Sequence, residues 1–122
     1  MPDTGVDGRA GNDRDRFREE LDRIDLRVRR VIADGRERFH EGSDAYDRAS
    51  MAVIRLAALF EDDDRFAGFL STATDTERRG IVRTRNIAGH RGYAAMDDDT
   101  FWETVTVQVP AFIAKIRRAN GL

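Results

Sequence analysis

One short stretch of the chain gathers several side chains that can move a proton or bind a phosphate group. It contains two arginines, an amide, a tyrosine and one of only two histidines in 122 residues, in the order Arg85, Asn86, His90, Arg91 and Tyr93. Arginine is permanently charged and presents a fork of N–H donors to phosphate oxygens. Histidine takes and returns a proton near neutral pH. These residue types together suit the cleavage of a phosphodiester bond.

The candidate stretch lies in a locally basic segment of a mildly acidic chain. The formal net charge is −2, so the sequence lacks the global basic field of a general nucleic-acid coat protein. Between Glu77 and the end of the segment, five arginines accompany that single acid: Arg78, Arg79, Arg83, Arg85 and Arg91. Such a strip favours phosphate binding. The alternative interpretation is a solvated helix face.

The spacing of Arg85 and His90, with Tyr93 shortly after, resembles the Arg-x4-His-x-Tyr signature of HepT toxins, which belong to the HEPN superfamily of small helical ribonucleases. The resemblance runs from about Leu21 to Arg118 and includes two downstream groups, Phe101-Trp102-Glu103 and Val109-Pro110. It implies an endoribonuclease toxin of a type VII-like, HepT/MntA-type toxin–antitoxin system, acting on RNA, with tRNA as one candidate substrate.

The roles of the site residues follow from this resemblance and from their chemistry. His90 would remove the proton of a ribose 2′-OH, and that oxygen would attack the adjacent phosphate without a metal ion. Arg85 would stabilise the charge that builds on the phosphorane oxygens. Asn86 would orient His90 or donate to the phosphate, and Arg83 and Arg91 would contact RNA phosphate groups.

A single copy of the motif does not converge on one point. Asn86 and His90 are four residues apart and share a helix face, whereas Arg85 lies about 100° away from Asn86 around the axis. The resemblance implies a homodimer whose two-fold axis brings both copies of Arg85 and His90 to one RNA phosphate.

The resemblance also implies a partner, a minimal nucleotidyltransferase antitoxin of the MntA type that transfers AMP to the motif tyrosine and silences the nuclease. Tyr93 is the candidate acceptor, although it follows His90 by three residues where the family has two. Tyr93 is therefore either an AMP acceptor or a packing residue. Rival functions are a catalytically silent HEPN-like module that binds a nucleotide or a protein, and an antitoxin with the same fold.

The elements that position these residues are all predicted to be helices, in an antiparallel HEPN-like bundle of four to five. We assign residues 1–12 to a disordered N-terminal tail and residues 13–122 to one domain. In the first helix, apolar residues recur at spacings of three and four, which places them on one face; they are Phe17, Leu21, Ile24, Val28 and Val31.

Local signals predict where the later helices begin and end. Ser43 is a candidate cap for a second helix, which is apolar on more than one side and so lies centrally or at a dimer seam. Thr74 or Asp75 caps the helix that carries the motif, and Gly92 ends it. Pro110 lies inside the last helical pattern and must kink that helix or restart it.

The composition excludes several kinds of site. There is no cysteine, which rules out disulfides and thiolate ligands. No apolar stretch is long enough for a membrane helix, and we predict a cytoplasmic protein with no cofactor, no metal and no membrane partner. The aspartate triplets 62–64 and 97–99 are interpreted as solvated loops or helix starts, and Phe101-Trp102 as core or dimer packing.

Overall fold

The computed structural model describes residues 4–61, 65–89 and 97–122, and within these ranges the chain is helical and has no β-strand. The elements in order are α1 (Thr4–Asp34), α2 (Asp44–Glu61), α3 (Asp75–Gly89), α4 (Asp98–Glu103) and α5 (Val109–Asn120). A π-helical turn at Thr104–Gln108 joins α4 to α5 into one interrupted C-terminal helix. The all-α prediction is confirmed, and the arrangement is compatible with a helical bundle.

The apolar face predicted for α1 is the face that packs into the core. Its five members are between 0% and 1% exposed: Phe17, Leu21, Ile24, Val28 and Val31. The helix begins at Thr4, within the segment that the sequence assigned to a tail. Extending a helix that is already nucleated adds a hydrogen bond for each residue ordered. A polar segment can therefore continue a helix that the core holds further along.

Two ion pairs show that α1 and α2 run antiparallel. Arg48 Nη1 donates to Asp34 Oδ2 at 2.8 Å, where α1 ends and α2 begins. Arg55 Nε donates to Glu20 Oε1 at 2.7 Å, closer to the other end of the pair. The predicted antiparallel order is thus seen for these two helices.

The connection between α1 and α2 depends on local backbone geometry. Gly35 has φ +88° and Gly42 has φ +90°, values that L residues with side chains rarely adopt. Ser43 Oγ accepts the backbone N–H of Tyr46 at 3.1 Å, which confirms its predicted capping role. Between the glycines, Phe39 is fully buried, a core position that the helical periodicity did not reveal.

Helix α2 lies centrally, as predicted, because it packs against both α1 and α3. Its buried residues are Ala45, Ala49, Ala52, Val53, Leu56, Ala57 and Leu59. Of the neighbouring apolar residues, Met51 and Ala58 are exposed, Met51 to 43%, and Ile54 is half-buried. After α2, Phe66 and Leu70 are buried and Phe69 stacks on Phe17 at 5.0 Å, so this short segment closes the core as expected.

The C-terminal helix accommodates Pro110 by widening one turn. Pro110 stands in the first turn of α5, where its missing N–H is tolerated. In the π turn before it, the Val109 N–H reaches back five residues to the Thr104 carbonyl. Beyond the proline, Phe112, Ile113 and Ile116 are buried. The predicted restart at Pro110 is confirmed.

Candidate functional site

The candidate site is built on α3, and a reciprocal cap defines where that helix begins. The Thr74 N–H donates to Glu77 Oε1 at 2.8 Å, and the Glu77 N–H donates to Thr74 Oγ1 at 3.1 Å. Thr74 is therefore the cap, one of the two residues predicted for it. The same Glu77 oxygen accepts from Lys115 Nζ at 2.7 Å, which ties α3 to α5.

These contacts also set the charge state of Glu77. The hydrogen bond from Lys115, followed by that from the Thr74 backbone N–H, lowers the pKa of Glu77 from its ordinary value. Glu77 is therefore ionised at neutral pH. It caps the start of α3 and also links α3 to α5 through its ion pair with Lys115.

The rest of α3 is docked shallowly. Its one buried residue with a polar side chain is Thr84, 6% exposed, whose hydroxyl donates to the Gly80 carbonyl at 2.8 Å. The apolar residues are only half-buried: Ile81, Val82, Ile87 and Ala88. Since α3 adds little to the core, its polar surface is available for contacts with a ligand.

The arginines of α3 differ in their surroundings. Arg78, Arg79 and Arg83 are exposed. Together with Asn86 they border a shallow groove of about 600 Å³ whose margin includes Glu61 at the end of α2. Three arginines of the predicted basic strip thus face solvent along this groove, which agrees with a phosphate-binding surface and equally with a solvated helix face.

Arg85 is held in place by two acceptors. Its Nη1 donates to Glu61 Oε1, and its Nε donates to Asn86 Oδ1 at 3.2 Å. The side chain of Arg85 is 27% exposed and that of Glu61 is 48% exposed. The structure therefore brings Arg85 and Asn86 together, and it adds a carboxylate that the sequence did not indicate.

Glu61 was not predictable as a partner of Arg85. The two residues are separated by 24 positions and meet because α3 packs on α2. Glu77 and Asp97 are acids closer to Arg85 in the sequence and therefore more obvious candidates for an ion pair with it. Glu77 binds Lys115 and Asp97 caps α4, so neither supplies the hydrogen bond found here.

Several predicted site residues lie outside the described ranges. These are His90, Arg91 and Tyr93, together with the predicted helix end at Gly92. Helix α3 ends at Gly89, the residue before His90 in the chain. Whether Arg85 and His90 converge stays a prediction.

An apolar groove of about 980 Å³ separates α3 from the C-terminal helix. Its lining includes Val53, Leu56, Ile81, Ile87 and Phe112. The hydrogen bond between Lys115 and Glu77 joins its two walls. Arg83 lines both this groove and the shallower polar groove, so its side chain lies between the two.

The aromatic pair that follows the motif belongs to the core. Phe101 is 2% exposed and packs on Phe39 at 5.4 Å between ring centroids. Trp102 is half-buried and meets Phe39 edge-on at 5.3 Å. The prediction that these residues serve packing, and not base stacking, is supported by these contacts.

The aspartates at 97–99 behave as a helix start. Asp97 accepts the backbone N–H of Thr100 at 2.9 Å and its hydroxyl at 2.8 Å, and these bonds lower the pKa of Asp97. Asp99 pairs with Arg36, whose Nε lies 3.0 Å away. In the described part of the chain, no three acidic or histidine side chains cluster closely enough to hold a metal ion. No helix in those same ranges is long and apolar enough to cross a membrane.

Comparisons with protein-family models, with curated proteins and with solved structures find no match to this chain. The resemblance to HepT toxins therefore rests on the sequence motif alone, and the structure contributes the geometry of α3 around Arg85.

Proposed function

We propose that this protein is a metal-independent endoribonuclease and the toxin of a HepT/MntA-type toxin–antitoxin pair. The observation that carries the proposal is the arrangement on α3, where Arg85 is held beside Asn86 on a helix with three further exposed arginines. That helix ends directly before His90 in the chain. A cation, an amide and a proton acceptor in this order suit RNA phosphodiester cleavage.

In the proposed reaction the nucleophile belongs to the RNA. His90 accepts the proton of a ribose 2′-OH, and the 2′-oxygen forms a bond to the adjacent phosphorus. The bond from phosphorus to the 5′-oxygen breaks, and that oxygen takes up a proton from the His90 imidazolium or from water, which leaves a 2′,3′-cyclic phosphate and a free 5′-hydroxyl. Among the described residues Arg85 Nη2 has no hydrogen-bond partner, so its N–H groups are available to the phosphorane oxygens.

The proposal includes a homodimer, in which a two-fold axis would present both copies of Arg85 and of His90 to one RNA phosphate. It also includes an MntA-like nucleotidyltransferase that acts on Tyr93. Incubation with an MntA-type nucleotidyltransferase and ATP should raise the mass in steps of one AMP group. Tyr93→Phe should abolish the gain, and an unmodified wild-type protein would reject the acceptor role.

A second candidate function is a catalytically silent HEPN-like binding module. The observation that favours it is the ion pair between Arg85 and Glu61, since a neutralised arginine is a weaker stabiliser of a phosphorane. The two candidates differ in whether RNA is cleaved when the protein is present.

The deciding experiment is induction of the chain in a host, with growth followed and total RNA and tRNA examined on gels. We expect growth arrest and cleaved RNA with wild type, and neither with His90→Ala or Arg85→Ala. His40→Ala is the matched control, because His40 is the other histidine and is exposed near the start of α2. Normal growth with intact RNA in the wild type would favour the binding module.

A further inference from the structure

Glu61 is the acidic side chain that contacts the candidate catalytic arginine. Its Oε1 accepts from Arg85 Nη1, and about half of its surface is open to solvent. We propose that Glu61 competes with RNA phosphate for Arg85, so that substrate binding exchanges a carboxylate–guanidinium pair for a phosphate–guanidinium pair. This inference rests on the proposed function and concerns the regulation of the same site.

The pairing is selective among the arginines of α3. Arg79 Nε donates to a backbone carbonyl, that of Asp75 at 3.3 Å, and not to a carboxylate. Arg78 and Arg83 make no ion pair with any of the described residues. Arg85, the arginine assigned to catalysis, is thus the one arginine in the described part of α3 that pairs with an acidic side chain. General charge balancing along the helix would not single out this position.

The chemistry of the contact supports competition. Carboxylate and phosphate oxygens accept from the same guanidinium N–H groups with the same charge-assisted geometry. Glu61 therefore occupies Nη1, one of the donors that a phosphate needs for a bidentate contact, while Nη2 makes no bond within the described chain. An ion pair this exposed is weak. A polyanionic substrate can displace it, at a cost in affinity.

The position of Glu61 makes the competition intramolecular. The residue is the last of α2, a helix that is packed on both sides and whose inner face is buried. Its carboxylate is therefore presented to Arg85 from the end of a packed helix. A tethered acid does not diffuse away, so it lowers the affinity for RNA at any protein concentration.

The test is a double-mutant cycle on the full chain with an RNA oligonucleotide that carries 2′-O-methyl groups and is not cleaved. Glu61→Gln keeps an acceptor of similar shape and removes the charge, and we expect about twofold to fivefold tighter binding. In the Arg85→Ala background the same change should have little effect, because Glu61 acts through Arg85. Asp22→Asn is the matched control, since it removes a charge from another exposed pair, that with Arg117.

Each outcome decides the inference. The inference would be overturned if wild type and Glu61→Gln bound the RNA equally well. It would also be overturned if Glu61→Gln gave the same gain in the Arg85→Ala background, or if Asp22→Asn gave that gain. Cleavage of unmodified RNA by the wild type is measured separately. Cleavage without an effect of Glu61→Gln refutes the competition alone, whereas an Arg85-dependent gain without cleavage by any variant supports the competition and rejects the nuclease. Absence of binding by every variant overturns both.

Discussion

At the scale of single residues, Glu77 shows how one carboxylate supports the helix that carries the candidate site. Its side chain accepts the backbone N–H of Thr74, the residue that caps α3, and also binds Lys115 of α5. The side chains of Glu77 and Lys115 are 30% and 34% exposed, so the ion pair itself is weak. The capping hydrogen bond adds to the stabilisation from the ion pair, because it satisfies a backbone N–H at the helix start that has no partner within the helix.

We expect Glu77→Gln to lower the free energy of unfolding by about 1 kcal/mol or less at pH 7, because the amide retains the capping acceptor and loses the charge. Folding lowers the pKa of Glu77, so its contribution is present above the ordinary value of 4.5. The contribution is lost as pH falls through the lower folded value. The urea midpoints of wild type and Glu77→Gln should therefore differ at neutral pH and become equal in acid.

Glu103→Gln is the control for this comparison, because Glu103 is exposed and its side chain makes no hydrogen bond with the described residues. An unchanged urea midpoint for Glu77→Gln at neutral pH would show that the tie to α5 contributes nothing. A difference that persists unchanged into acid would show that its charge is not the cause.

At the scale of elements, α3 differs from its neighbours in how it is held. α2 buries seven residues along its length, whereas the described side chains of α3 other than Thr84 are partly or fully exposed. Its fixed points are Glu77 near the start and Arg85 near the end. An element with few buried contacts opens locally at low free energy. α3 can therefore adjust to a ligand without disturbing the core.

Gly80 offers a test of this weak docking. It lies in the middle of α3, is exposed, and a Cβ at this position would meet no atom within 4 Å. We expect Gly80→Ala to stabilise the protein by roughly 0.5–1 kcal/mol, because alanine loses less backbone entropy in a helix. Amide hydrogen exchange in α3 should slow, and exchange in α2 should stay slower than in α3 in both proteins.

Gly35→Ala is the contrasting variant. Gly35 also has open space around a Cβ, but its φ of +88° strains any residue with a side chain. We expect it to destabilise the protein by about 1–3 kcal/mol. If α3 exchanged as slowly as α2 in the wild type, the description of α3 as weakly docked would be wrong.

At the scale of the whole molecule, the core and the candidate site are separate. The buried cluster joins α1, α2 and the C-terminal helix, and α3 contributes only the partly buried Ile81 and Ala88 to its margin. Arg85 and Asn86 lie on the solvent side of this arrangement. A surface helix is well placed to meet another molecule, and the proposed dimer would use it to complete the site.

A mixing experiment tests the shared site. Arg85→Ala and His90→Ala proteins should each be inactive alone, and subunit exchange between them should restore part of the RNA cleavage. The reason is that a hybrid dimer carries one Arg85 and one His90 on opposite chains. Sedimentation should show a dimer for both variants. A monomeric wild type, or a hybrid without activity beside an active wild-type dimer, would contradict a site built across two chains.

Much of the helical framework was predictable because its signals are local. The spacing of Phe17, Leu21 and Ile24 specifies the buried face of α1, since the helical period alone brings them together. Capping by Ser43 and Thr74 uses donors three residues away. A side chain and a backbone N–H that are neighbours along the chain meet in any fold that forms the helix.

The partners of the candidate site came only from the packing of helices. Glu61 reaches Arg85 across 24 residues, and Lys115 reaches Glu77 across 38. Phe39 enters the core from a connection that has no helical period. The sequence contains many acids that carry the same local signal as Glu61. Which of them lies beside Arg85 depends on how α2 and α3 cross. That long-range geometry cannot be read from the residue types and spacing around a single position.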